Sequence, residues 1–152
     1  MTAKAAAFSD VEASNVAFRD LITMLPDSGY AETVAGDWDL SRILAHMAGW
    51  YRELSPEFAR IVAGTATPAT AWADVDAWNA RFAANAKQGM AALDDFDEAF
   101  HEFYAAAKGT PDEAFEPQAD GSPAACLTLF RDLSLAHTTE HGTAVEAWLG
   151  RR

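Results

Sequence analysis

The sequence predicts an all-α chain: a four-helix bundle with one extra short helix in a connection. Two observations carry this expectation. Apolar residues recur at steps of three and four in several long stretches, and no segment sustains the period-two alternation of a strand or contains an Asn-Gly hairpin turn. A length of 152 residues with 50% hydrophobic side chains fits one domain, spanning 1–152, with a core of its own.

The first helix is predicted to open at a capping box, Ser9 followed by Glu12, in which hydroxyl and carboxylate each satisfy an orphan amide. Val11, Phe18, Leu21, Ile22 and Leu25 form its stripe, Pro26 and Gly29 end it, and Tyr30 to Trp38 is a loop. Asp39 is the expected N-cap of a second helix whose Leu40, Ile43, Leu44, Met47, Trp50, Tyr51 and Leu54 share one face. His46 lies along the edge of that face. Pro56 bends or restarts the helix, and Gly64 through Pro68 is a connection.

Ala71 to Gln88 reads as a further helix bearing Trp72, Val75, Trp78 and Phe82, with a break near Gly89. Another runs from about Asp94 to Lys108 with Phe96, Phe100, Phe103 and Tyr104, and Gly109-Thr110-Pro111 stops it. Phe115 to Gly121 is a loop. Ser122 as N-cap and Pro123 at the first helical position are expected to open the last helix, which ends at Gly150.

The charge balance, 23 acidic against 11 basic side chains for a net −12, disfavours nucleic acid and anionic membrane as partners, since both need a basic surface. Most of that charge is expected to be solvated surface. The single cysteine, Cys126, permits no intrachain disulfide and reads as a buried inert thiol. The chain's start lacks the apolar core of a signal peptide and no apolar run is long enough to cross a bilayer, so a cytoplasmic protein is expected.

The stretch Leu135 to Leu149 carries two of the four histidines, His137 and His141, four residues apart and therefore on one helix face. Phe130, Leu133, Ser134, Ala144, Val145, Trp148 and Leu149 fall in the same phase, so both imidazoles are expected to look inward. With His46 as third ligand they compose a known set for a divalent metal with its fourth position open. His101, between Glu98 and Glu102 and without a histidine at ligand spacing, reads as a surface or partly buried residue. Motifs for nucleotide binding, for a serine nucleophile and the His-Glu-x-x-His motif are absent.

Trp38-Asp-Leu-Ser-Arg-Ile-Leu-Ala-His46-Met-Ala-Gly-Trp50, together with His137-Thr-Thr-Glu-His141, the closing Trp148-Leu149 and the Trp78-Asn79 pair, resembles the DinB-like superfamily. That group includes DinB proteins, ClbS/DfsB-type proteins and the N-terminal domain of mycothiol-dependent maleylpyruvate isomerases. The resemblance implies a homodimeric four-helix bundle holding a divalent ion through His46, His137 and His141. It also implies a metal-activated thiol or water acting on a small-molecule substrate, as in S-transferases, isomerases or hydrolases. Zn²⁺ is the first expectation, with Ni²⁺, Fe²⁺ or Mn²⁺ as other candidates, and a low-molecular-weight thiol is the implied co-substrate. No second domain is expected after the bundle, which would be a departure from the isomerases. The competing expectation is a non-catalytic bundle that binds or sequesters a small molecule. Neither Glu53 nor Glu140 is clearly aimed at the metal by helical phase, and the loops around Tyr30 and Phe115 are expected to shape the pocket.

Overall fold

In the computed structural model, which describes Met1 to Arg152, the alanine-rich start of the chain is already helical: α1 runs Ala3–Ile22. Its cap is Thr2, whose Oγ1 accepts from the Ala5 amide at 3.1 Å. The Ser9–Glu12 box therefore lies inside the helix and caps nothing. Alanine's helix preference carries the helix upstream of it, and Glu12 instead accepts the Tyr104 hydroxyl on a neighbouring helix.

The predicted loop from Tyr30 to Trp38 is more ordered than expected. A 3-10 turn over Asp27–Ala31 leads into a small antiparallel hairpin, β1 Thr33–Ala35 and β2 Trp38–Asp39. Gly36, at φ +55°, makes the reversal. Asp39 then caps α2, Leu40–Leu54, as predicted, accepting from the Arg42 amide at 2.8 Å. Past Pro56 the chain restarts as α3, Glu57–Val62.

The helix expected over Ala71–Gln88 is shorter and broken. A 3-10 turn, Ala69–Trp72, is followed by α4, Val75–Ala84, because Asp74 caps a new start by accepting from the Ala77 amide at 3.1 Å. None of its residues is buried, and its main packing partner is α2. Gly64 and Gly89, at φ +74° and +57°, bracket this connector. Helix α5, Ala91–Lys108, begins three residues before the predicted Asp94. The Met90 amide donating to Asp27 Oδ1 at 2.8 Å anchors that start.

At the last helix the predicted cap is corrected. Ser122 donates its hydroxyl and its amide to Asp120 Oδ1, at 2.6 and 2.9 Å, closing a local turn. Helical structure starts only with α6, Ala125–Leu127, passes through a π-helical stretch, Thr128–Asp132, and continues as α7, Leu133–Leu149. The chain is all-α apart from the hairpin.

Helix α2 packs on α5 and α4, and α1 packs on α7. Two arginines tie α5 to its neighbours: Arg19 of α1 grips Asp97 with two bonds of 2.7 and 2.8 Å, and Arg52 of α2 meets Asp95 at 2.9 Å. The core is a chain of aromatic rings. Phe130 lies 4.5 Å from Phe8 and 5.8 Å from Phe103 between centroids, and Phe103 lies 5.0 Å from Tyr51. Phe115, predicted beside the functional pocket, belongs to this cluster, 6.4 Å from Phe130. No helix is long and apolar enough to cross a membrane.

Candidate metal centre

Helical phase brings three imidazoles to one place. His46 is fixed by α2 between Ile43 and Trp50, and His137 and His141 lie one turn apart on α7. Their ring centroids are 5.2 Å (His46–His137), 4.9 Å (His46–His141) and 5.8 Å (His137–His141) apart. One nitrogen of each lies within 4.8 Å of one of each of the others, close enough to converge on one ion after small rotations of the rings. His46 is buried, deeper than the edge position predicted for it. The two α7 histidines are half-buried, flanking the deepest line of the helix, which is Ser134, Thr138, Gly142 and Val145 against α1. They look into a cavity between helices instead of into the apolar core.

His46 Nδ1, His137 Nδ1 and His141 Nε2 are all buried without a hydrogen-bond partner. Leaving such an atom unsatisfied costs about 1–3 kcal/mol, so packing alone gives no account of three such histidines in one cluster. Burial holds the rings neutral. It pushes His46 down to about 4, with the charge of His141 adding and neighbouring Asn79 offsetting a part. Burial likewise takes His137 to about 3, reinforced by His46 and His141. His141 is lowered by burial against the opposing pull of the Glu140 carboxylate. All three thus carry free lone pairs at neutral pH, the form that binds metal.

The cavity in front of them holds about 490 Å³. Its walls are Trp38 from the hairpin, Trp50 and Leu54 from α2, Trp72, Val75 and Asn79 from the connector, and Leu133 and Glu140 from α7. Tyr30 and Phe115 are themselves fully buried elsewhere; of the two loops expected to shape the pocket, the Tyr30–Trp38 stretch contributes Trp38 and the one around Phe115 contributes nothing. Trp50 Nε1 donates to Asn79 Oδ1 at 2.7 Å, and Trp72 Nε1 donates to Glu53 Oε1 at 3.2 Å. Glu53 is thereby engaged away from the histidines, whereas Glu140 stands at the rim. The signal for these was present in the spacing: Glu140 is three residues after His137, Trp50 four after His46, and Leu133 four before His137. Behind the site, the Tyr51 ring lies 6.0 Å from His137, and its hydroxyl and Ser134 Oγ are also buried without partners.

His101 lies apart, exposed on α5 and bonded through Nδ1 to the Asp97 carbonyl at 2.7 Å. Cys126 is fully buried, and burial raises its thiol, as expected of an inert cysteine. No family model, curated protein or solved structure matches the chain.

Proposed function

We propose that this chain is a metal-dependent enzyme built on a DinB-like four-helix bundle, in which His46, His137 and His141 hold one divalent ion. Zn²⁺ is the first choice, with Ni²⁺, Fe²⁺ or Mn²⁺ as the other candidates. The observation that carries the reading is the convergence of three neutral imidazoles, each with an unpartnered buried nitrogen. A bound ion supplies Lewis acidity, which acidifies a water or a thiol in its open position. The protein's own part is to present lone pairs without first losing protons and to wall the site from bulk water with Trp50, Leu54, Trp72 and Leu133. The pairing of α2 with α5 and α1 with α7 supports the bundle arrangement. A small-molecule substrate, a low-molecular-weight thiol, a homodimer and a cytoplasmic setting belong to the same reading and rest on the motif resemblance.

The test is elemental analysis of protein purified without a histidine tag. Near-stoichiometric metal is expected in the wild type and in His101→Ala, with most of it lost from His46→Ala and His137→Ala. Equal metal in all four, or none after dialysis against Zn²⁺ or Ni²⁺, rejects the site.

The cavity's size and its aromatic walls favour one alternative, a non-catalytic carrier with the metal structural or absent. An added thiol that displaces a ligand from a loaded, open site separates the two, because a structural site is closed by four protein ligands.

A further inference from the structure

The cavity in front of the imidazoles joins two kinds of surface, supplied by different parts of the chain. The histidines come from α2 and α7, with Trp38 set edge-on to His46 at 5.5 Å between centroids. The connector contributes Trp72 and Val75 to the wall. Of the six large apolar side chains left exposed on the molecule, Val75, at 49%, is the one in this lining. An apolar ligand that enters covers it at a gain. The tryptophans beside it are fixed before anything binds. Trp50 Nε1 is held by Asn79 and Trp72 Nε1 by Glu53, and the Trp50 ring is backed by Phe82 and Trp78 at 5.3 and 6.1 Å between centroids. These two indoles present ring surface with no free donor, and a wall already in place costs a ligand little ordering. Apart from the imidazoles, the polar groups of the lining are Asn79, whose oxygen is taken by Trp50, and Glu140 on the exposed side of α7. A ligand's lone pairs are therefore best served at the metal site, and its hydrocarbon at the tryptophans and Val75.

We propose that the cavity takes a ligand built in two parts, a head whose lone pairs bind the ion at the histidines and an apolar body held against Trp72 and Val75. Its volume of about 490 Å³ lies in the range of small-molecule sites and leaves room for a ring beside the head. The proposal rests on reading the three imidazoles as a metal site.

The test titrates the full-length, zinc-loaded protein with acetohydroxamate and with benzohydroxamate by calorimetry. The two probes share a metal-binding head and differ in the body, so the ratio of their affinities reads the wall. Benzohydroxamate should bind at least about tenfold more tightly. In Val75→Ser that ratio should fall by about threefold, and in Trp72→Ala by more. Val62→Ser, at a site about as exposed but outside the cavity, should keep it. A ratio near one in the wild type, a ratio unchanged in both wall variants, a ratio lowered as much in Val62→Ser, or binding of neither probe by zinc-bearing protein overturns the proposal. Zinc content is measured on the same preparations after each titration. Zinc held without the apolar gain rejects this proposal alone, and no zinc uptake rejects the metal reading and this proposal with it.

Discussion

Three histidines held neutral tie the protein's stability to pH in a definite direction. Their folded values lie below the ordinary 6.5, about 4 for His46 and about 3 for His137, with burial as the leading cause. An unfolded chain therefore binds more protons than the folded one between those values and about 6.5, and stability rises with pH across that window. The metal-free protein should keep the full contribution above about pH 7. It should lose it progressively as the pH falls toward 4, by roughly 3 kcal/mol for His46 alone. Urea melts of apo protein at several pH values check this, and His46→Ala should flatten the slope. A midpoint that does not change between pH 7 and 4.5 would contradict neutral burial. At this scale the sequence was informative: histidine spacing in a helical phase picked out the three residues that the fold brings together, and the absence of a histidine partner set His101 apart from them. Its limit was depth. The α7 pair sits beside the deepest line because small residues, Ser134 and Gly142, let α1 approach that line instead, a choice that depends on the partner helix.

Helix ends were legible where one side chain outcompeted the rest, as at Asp39, and illegible where alternatives were close. Ser9–Glu12 had the form of a cap but lost to an alanine run, and Ser122 lost to Asp120. The connector between α2 and α5 depends on a contact that no periodicity announces. Gly49 of α2 lies under Phe82 of α4, where an added Cβ would sit 2.1 Å from the ring's Cγ and 2.6 Å from Phe82 Cβ. Because the clash reaches the base of the side chain, the ring cannot escape by rotation and α4 itself must shift. Gly49→Ala should cost about 1–3 kcal/mol and break the Trp50–Asn79 bond. The expected signs are red-shifted tryptophan emission and new protease cleavage between Gly64 and Gly89, with metal content unchanged. Wild-type emission and protease resistance would show that α4 is not seated by that glycine.

For the molecule as a whole, cohesion comes from the aromatic chain, with Phe130 touching rings from α1, α3 and α5 as well as Phe115. Phe130→Ala should remove about 3–5 kcal/mol, a fall in Tm of roughly 6–20 °C by thermal circular dichroism; a loss below about 1 kcal/mol would mean the core collapses onto the gap. The helical class was readable because four stripes of period near 3.6 cannot be buried any other way, whereas the hairpin and the π-helical stretch are local departures set by packing. The connector that walls the histidine cavity supplies Trp72, Val75 and Asn79 but none of the imidazoles, buries no residue of α4, and is bounded by two glycines in the left-handed region. Substitutions there can accumulate in a lineage without disturbing the three imidazoles. Descendants of one ancestral bundle could thus diverge in what the cavity accepts while inheriting the same histidine cluster, and a connector transplanted between two of them should carry its preference with it.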